Sequence, residues 1–281
     1  MGWTPLETIK ALQTIHPNLK ETPMTYAGRL DPMAEGVLIV LSGEDRFHRD
    51  TYLTYDKIYR ATFLLGFCSD SLDILGKIKK GSLIKKQEKI FETLKNLEGT
   101  QRLPFPVYSS YKIQGKPLHW WAQQNRLQEI TIPQKEMTVK NVREEKIETR
   151  DSEKILSEIL HRIDLVKGNF RQEEMKNDWK KFLSSSEKRM TVSATFEVTS
   201  GTYIRSLAQK LGEELGCGAL LFHLERLQVG YHKIIDSIRF QEKMNNPAAS
   251  GRGIGYMATA EISVGVTERT LFLSLGFLCS L

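Results

Sequence analysis

The sequence has 281 residues, of which 40% are hydrophobic and 26% are charged, and its formal net charge is +6. This length can bury a sizeable core in one large domain or in two, and the composition is that of an ordinary globular protein. No apolar run reaches the length of a membrane span, since the run 271–281 is too short to cross a bilayer.

The cysteines, the charge and the first residues indicate the compartment and the kind of partner. Cys68, Cys217 and Cys279 are far apart and show neither metal-ligand spacing nor a pairing pattern. We therefore interpret them as small hydrophobic residues in a reducing cytoplasm. No signal peptide is recognised at the start, so we expect a cytoplasmic protein. The lack of metal-ligand spacing leads us to expect no bound metal. The basic excess favours a polyanionic partner, but only weakly.

The first predicted element is a helix that begins after Thr4. Pro5 suits the first helical position, and Glu7 completes a capping box with Thr4. Apolar residues at helical spacing follow, and His16-Pro17 ends the pattern.

Residues 28–38, with the sequence GRLDPMAEGVL, are the stretch around which the chain is organised. Asp31 stands in a turn where Gly28 permits a close bend and Pro32 fixes φ directly after the acid. The apolar run 37–41 predicts a buried strand or the start of a buried helix. A carboxylate on a rigid loop suits a nucleophile or a general base, and the alternative is that Asp31 only caps the turn.

The middle of the chain predicts alternating helices and strands. We predict helices over 46–55, 85–97 and the segment after Gly115, strands over 57–66, 130–133 and 137–139, an acidic loop over 69–76, and extended chain over 104–112. Tyr59 and Ala61 share one face of their strand. Gly99 is interpreted as a helix stop. The adjacent Trp120 and Trp121 suit packing, with stacking on nucleic-acid bases as the alternative.

The composition changes over residues 144–188, which are rich in Glu, Lys and Asp. Apolar residues at helical spacing predict one or two charged amphipathic helices, inserted between strands as a solvated excursion. An alternating strand over 191–198 follows, and the turn 200–206 opens a further helix. Residues 220–229 are a strand or a helix-to-strand segment, and 245–253 form a loop or linker.

Three polar residues point to chemistry without a cofactor. The sequence shows no metal-ligand cluster, no glycine-rich nucleotide loop in the right context and no Ser-His-Asp signature. It does place Asp31 on a loop, Tyr59 on a strand and Arg205 at a strand-to-helix junction. An arginine binds a carboxylate bidentately and keeps it ionised, and a tyrosine stacks on a flat ring or moves a proton. Such a set suits covalent chemistry at a sugar anomeric carbon or a heterocycle.

Several ordered motifs, from about Gly2 to about Val229, resemble those of the TruB family of tRNA pseudouridine synthases. They are 28–38 (GRLDPMAEGVL), 57–61 (KIYRA), 108–116 (YSSYKIQGK), 200–206 (SGTYIRS) and 224–227 (LERL). On these motifs the sequence is identified as a member of that family, interrupted by the charged insert.

The resemblance implies an α+β pseudouridine synthase fold, in which a mixed, mostly antiparallel sheet is flanked by helices and carries a charged helical insertion. It implies a cofactor-free enzyme that isomerises a uridine in the T-arm of tRNA (U55) to pseudouridine after flipping it out of its stack. The same resemblance makes Asp31 the nucleophile that Arg205 salt-bridges, and makes Tyr59 the residue that stacks on the base and a candidate for proton transfer.

The remaining implied site residues surround the base. Tyr203 and Leu224 are expected to line the uracil pocket, and Asp73 is expected to contact the flipped nucleotide. Tyr26 stands where the family usually has a histidine, in the region of the flipped base. We expect these four residues to bind substrate.

The sequence also departs from the family at both ends. The family's opening strand should precede Gly2, so we expect one strand to be missing. Residues 231–281 show no PUA module, so we expect a catalytic domain over 1–230 and a C-terminal extension over 231–281. T-arm binding then rests on the catalytic domain and the basic insert, and we expect a monomer.

Two alternatives remain open at this point. One is a pseudouridine synthase of the RluA type acting on other RNA, which the residues 28–31 alone suggest. The other is a tRNA-binding or tRNA-folding protein without catalysis. The residues 32–36 and 201–205 favour TruB over RluA, and the presence of Asp31 argues against pure binding, because binding alone does not need a carboxylate facing a phosphate-rich ligand.

Overall fold

The computed structural model describes residues 2–82, 84, 87–168, 170–183, 187–240 and 270–275. The helices are α1 (Pro5–Ile15), α2 (Arg49–Leu53), α3 (Lys89–Lys95), α4 (Leu118–Gln123), α5 (Ser152–Leu165), α6 (Gln172–Phe182) and α7 (Ile204–Glu214). The strands are β1 (Met24–Ala27), β2 (Ala34–Ser42), β3 (Lys57–Leu65), β4 (Phe67–Ser69), β5 (Ile78–Lys80), β6 (Gly99–Pro104), β7 (Lys112–Ile113), β8 (Lys116–Pro117), β9 (Gln134–Asp151), β10 (Lys188–Val198), β11 (Ala219–Val229), β12 (His232–Lys233), β13 (Ile238–Phe240) and β14 (Thr270–Leu275). The predicted loop 245–253 and Cys279 lie outside the described residues.

A single large sheet organises these elements. Its strand order is β13-β14-β2-β11-β3-β10-β9-β6, with β1 also paired to β2 and β12 to β11. The β2–β11 and β13–β14 pairs are parallel, and the other pairs of this sheet are antiparallel. The predicted fold class, a mixed and mostly antiparallel sheet with helices, is therefore confirmed. The strands β12, β13 and β14 show that residues beyond 230 add to the same sheet.

The predicted N-terminal helix is present with its capping box. Thr4 is the N-cap of α1, its side chain accepts from the Glu7 N–H, and the Glu7 carboxylate accepts from the Thr4 N–H in return. Ile9 and Leu12 on the apolar face pack against Leu38 and Val40 of β2. The helix thus covers one face of the strand that follows the Asp31 turn.

The motif strand β2 resolves the open choice between strand and helix. Residues 37–41 are fully buried in it, and its start runs parallel to β11, with Gly36 opposite Arg226. Gly36 has φ +109°, and a Cβ there would lie 2.2 Å from the Arg226 carbonyl oxygen. Only glycine fits this position, because the positive φ and the close approach of β11 both exclude a side chain.

The charged segment 144–188 differs from its prediction. Residues 144–151 are the second half of β9, so the helical part begins only at Ser152. The two helices also belong to the main core, where α5 buries Ile155, Ile159 and Ile163 and α6 buries Trp179. The Trp179 indole N–H donates to the Ile74 carbonyl at 3.0 Å. The prediction of a solvated excursion was wrong, because the charged residues cover only the outer faces of these helices.

Other boundaries also moved. The helix predicted over 85–97 is the shorter α3, and Gly99, with φ +92°, opens β6 instead of stopping the helix. Residues 130–133 are not a strand, and 220–229 lie entirely in β11. Trp121 is buried, as the packing interpretation required. Across the described part of the chain, no helix has both the length and the apolar character needed to cross a membrane.

Candidate active site

Asp31 and Arg205 meet although 174 residues separate them in the sequence. Asp31 lies in the turn between β1 and β2, where its carbonyl accepts from the Ala34 N–H at 2.9 Å. Arg205 lies in the first turn of α7. The arginine Nε donates to Oδ2 at 2.8 Å and its Nη2 donates to Oδ1 at 2.8 Å. This bidentate pairing fixes both the position and the plane of the carboxylate.

The guanidinium of Arg205 is itself immobilised. Its side chain is 4% exposed, whereas the Asp31 side chain is 27% exposed. Nη1 donates to the Ser71 carbonyl at 3.0 Å, and Nη2 also donates to the Tyr108 carbonyl at 3.3 Å. Burial opposes the charge, but the carboxylates of Asp31 and Asp73 outweigh it and raise the pKa of Arg205. The pair therefore combines a fixed, buried cation with an acid that solvent reaches.

Asp73 stands behind this pair as a second, buried acid. It is 3% exposed, its Oδ1 accepts from the Leu75 N–H at 2.9 Å, and its Oδ2 lies 3.9 Å from the Arg205 Nε. Burial raises its pKa to about 6, against the opposing effects of Arg205 and of a hydrogen bond from Ser71. These contacts favour an action through Arg205, and the expected contact with a nucleotide stays a prediction.

Tyr203 lies beside the ion pair. Its backbone forms the N-cap of α7 directly before the arginine turn, and its ring meets Phe105 edge-on with centroids 5.8 Å apart. Burial raises the pKa of its hydroxyl; Arg205 opposes this rise and the Asp31 carboxylate adds to it. The Tyr203 hydroxyl therefore lies close enough to Asp31 and Arg205 for both charges to affect its pKa.

Leu224 lies on β11, which pairs with the motif strand β2, and Tyr59 lies on β3, the next strand along the sheet. Tyr59 on β3 is half-buried and packs at the edge of the main core, as does Leu30 beside Asp31. Leu224 on β11 is 4% exposed and pairs with Ala34 on one side and Ala61 on the other. Leu224 therefore lies beside the start of the motif strand, and Tyr59 lies one strand further from it.

Tyr26 contacts Arg29 and the small cluster around α1. It belongs to β1, packs with the small cluster around α1, and its hydroxyl accepts from the Arg29 Nε at 3.0 Å. Among the contacts of the described residues, none joins Tyr26 to Asp31 or Arg205. Its predicted role in binding a flipped base stays a prediction.

Two further groups include residues of the quoted motifs to which the sequence assigned no role. Tyr108, Asp70 and Arg171 form a polar cluster in which the Tyr108 hydroxyl donates to Asp70 at 3.1 Å and Arg171 donates to Tyr108 at 3.2 Å. The cluster joins the loop before α6 to the segments whose carbonyls hold Arg205. The second is Arg226, which lies two residues after Leu224 and therefore on the same face of β11. Such a charge at a core-facing strand position signals a buried group that needs partners.

The geometry fits nucleophilic or electrostatic use of one carboxylate. Asp31 is oriented by Arg205 and is reached by solvent. Within the described residues, no group of three or more His, Cys, Asp or Glu side chains is arranged to hold a metal ion. Free cysteines Cys68 and Cys217 lie outside the contacts of the ion pair.

Comparisons with known proteins agree on one family. The sequence model described as "TruB family pseudouridylate synthase (N terminal domain)" matches residues 17–171. The tRNA pseudouridine synthase B of Endomicrobium trichonymphae is 30% identical over 219 residues, which are 77% of this chain and 77% of that protein. The enzyme of the same name from Syntrophobacter fumaroxidans is 28% identical over 228 residues, 80% of this chain.

The lengths of these proteins differ. The chain spans 60% of the length of the Syntrophobacter protein. A chain in the crystal structure of a Cbf5-Nop10-Gar1 complex is 20% identical with a TM-score of 0.49, covering 81% of this chain and 45% of that one. Since the family model spans more than half of the sequence and includes the turn with Asp31, the chain belongs to the TruB family of pseudouridylate synthases.

Proposed function

We propose that this chain isomerises a uridine of tRNA to pseudouridine, with Asp31 as its nucleophile. One observation carries the proposal. The buried Arg205 binds the Asp31 carboxylate through two hydrogen bonds, while the Asp31 side chain stays 27% exposed. An acid that served only as a cap would bind backbone N–H groups and would not need a guanidinium with four hydrogen bonds. The family membership supports the same reaction.

The proposed reaction rearranges one nucleoside without adding atoms. Asp31 attacks either C1′ of the ribose or the pyrimidine ring, and the bond between C1′ and N1 breaks. The uracil rotates, a bond forms between C1′ and C5, and the bond from Asp31 to the ribose or to the ring breaks, which restores the free carboxylate. The proton on C5 is removed and N1 gains a proton, so that product and substrate have the same formula. Tyr59 is our candidate for stacking on the uracil and for this proton transfer.

The proposed substrate is the uridine in the T-arm of tRNA. The net charge of +6 supports a polyanionic partner, and flipping the base out of its stack gives the carboxylate access. Tyr203 and Leu224 would then line the uracil, with Tyr26 and Asp73 as further candidates for nucleotide contact. We further propose a cytoplasmic monomer, in line with the free thiols of Cys68 and Cys217.

The test compares the wild type with Asp31→Asn on a T-arm stem-loop and on total tRNA, with pseudouridine mapped by position. The amide retains the shape of the side chain but is a far weaker nucleophile, so we expect no product and binding within about threefold. Asp50→Asn is the matched control, because the Asp50 side chain is 96% exposed. Turnover by Asp31→Asn contradicts the assigned nucleophile. Binding without product by the wild type contradicts catalysis, and product only outside the T-arm contradicts the substrate.

A further inference from the structure

We propose that Arg226 is a positioning residue that sets the turn carrying Asp31, by binding backbone carbonyls on both sides of that acid. The part of this inference that concerns turnover rests on the proposed function. The part that concerns the turn does not, because it follows from the contacts of Arg226 alone.

The side chain of Arg226 reaches from β11 into the motif. Its Nε donates to the Val37 carbonyl at 2.7 Å, Nη2 donates to the Gly28 carbonyl at 3.0 Å, and Nη1 lies 3.5 Å from the Arg29 carbonyl as a third, longer contact. Gly28 and Arg29 precede Asp31, and Val37 follows it. One guanidinium therefore closes the turn by holding both of its arms.

The backbone of Arg226 acts on the same turn. Arg226 is the parallel partner of Gly36 on β2 and the antiparallel partner of Tyr59 on β3. Its carbonyl approaches so closely that a Cβ on Gly36 would lie 2.2 Å away. Arg226 thus contacts the motif at its beginning and at its end. On the other side, it pairs with Tyr59, the residue proposed to stack on the base.

Burial of this arginine is costly and calls for a reason. Arg226 is 1% exposed, and among the ion pairs of the described residues none joins it to a carboxylate. A second buried cation, Lys57, is close enough that burial, with the charge of Arg226 added, lowers the pKa of Lys57 to about 8. A well-packed apolar residue would avoid the desolvation of such a charge. The fork of donors that a guanidinium alone supplies explains an arginine here.

The two arginines divide the task. Arg205 holds the carboxylate of Asp31, and Arg226 holds the backbone on which that carboxylate stands. A displacement of a reacting group by about 1 Å can cost on the order of 100-fold in rate, even when the substituted residue lies away from the chemistry. Loss of Arg226 should therefore lower kcat while leaving the RNA-binding surface, and hence KM, almost unchanged.

The experiment uses the full chain with Arg226→Lys and Arg226→Met. Arg189→Lys is the control, since Arg189 is also buried (3% exposed) but lies on β10 away from the turn. All variants are assayed on the T-arm stem-loop at a temperature where circular dichroism shows them folded. Amide hydrogen exchange of the segment 28–37 is measured in parallel.

We expect kcat to fall about 100-fold in both Arg226 variants, with KM within about threefold. Exchange in segment 28–37 should accelerate at least tenfold, and neither change should occur in Arg189→Lys. A kcat within threefold of wild type, or unchanged exchange in the segment, overturns the proposal. If the wild type itself makes no pseudouridine, the proposed function fails while exchange still decides the role of Arg226.

A measurement on the wild type covers the case in which the variants do not fold. The Ala34 N–H closes the turn by donating to the Asp31 carbonyl. If Arg226 locks both arms, this amide exchanges no faster than the amides in the centre of β11. Exchange at least tenfold faster than those amides overturns the proposal.

Discussion

The variant Asp73→Asn should become more stable than the wild type, by a margin that grows as the pH rises. Asp73 is 3% exposed and lies 3.9 Å from the Arg205 Nε. Burial raises its pKa from the ordinary 3.8 to about 6, which the nearby Arg205 only partly offsets. An acid whose pKa is raised by folding holds its proton more tightly in the native state. It therefore destabilises the native state wherever it has to ionise.

The sign and size follow from this shift. Below pH 3.8 the acid is protonated in both states and has no effect. Between pH 3.8 and about 6 the native state binds more protons, so the stability of the wild type falls as the pH rises. At about 1.4 kcal/mol per pKa unit, the full penalty above pH 6 is about 3 kcal/mol, of which about 1.4 kcal/mol develops between pH 5 and pH 7.5.

Asparagine never carries this charge, and its amide oxygen can still accept from the Leu75 N–H. We measure urea unfolding by circular dichroism at pH 5 and at pH 7.5. The free energy of unfolding of the variant, relative to that of the wild type, should increase between these two pH values by the amount given above. Asp50→Asn is the control, because the Asp50 side chain is 96% exposed and a surface substitution should change the free energy of unfolding by no more than about 0.5 kcal/mol. A difference for Asp73→Asn that stays flat, or that shrinks as the pH rises, would refute the reasoning.

Three further predictions concern the ion pair, the charged helices and the motif. Arg205→Met should lower the free energy of unfolding, measured in urea, by about 3–5 kcal/mol, because it leaves buried Asp73 without its cation. The control is Arg60→Met, which removes a half-exposed ion pair with Glu225 and should cost at most about 1 kcal/mol. Trp179→Ala should lower the free energy of unfolding by about 3–5 kcal/mol, because Trp179 packs α6 into the core. Lys180→Ala, at an exposed position of the same helix, should change it by no more than about 0.5 kcal/mol. Equally small effects of both substitutions would contradict the packing of α6. For Glu35, burial raises the pKa, but the hydrogen bond from His223 and the charges of His223 and Arg162 together lower it below 4.5. Urea unfolding should therefore show the wild type more stable than Glu35→Gln above pH 4.5, and this difference should shrink as the pH falls below 4.5.

Local patterns in the sequence predict much of the fold. The capping box of α1 and the alternation in β3 and β10 depend on neighbours within a few residues, so they are visible without the structure. The charged helices show where this fails. Their mean composition suggests solvent, but Ile155, Ile159 and Ile163 repeat every four residues and form one buried stripe. Periodicity was the better guide than composition, because burial is decided face by face.

The site was predictable only where a side chain carries the contact. Asp31 and Arg205 are recognisable by residue type and motif, and the structure joins them as expected. The groups that hold Arg205 are backbone carbonyls of Ser71 and Tyr108, which any residue supplies and no sequence pattern marks. The role of Arg226 was missed for a similar reason, although the motif 224–227 contains it, since its acceptors are carbonyls in another segment.

The placement of Asp31 thus depends on two cations with different sensitivities. Arg226 binds neutral carbonyls, so pH does not alter its partners. Arg205 faces two acids, and Asp73, with a pKa of about 6, changes its charge within the range of neutral and mildly acidic pH. Above that pKa the two carboxylates share one guanidinium, and below it the guanidinium serves Asp31 alone. We therefore expect a change of pH to affect the ion pair on the Asp31 carboxylate, through Asp73, and to leave the contacts of Arg226 with the backbone of the turn unchanged.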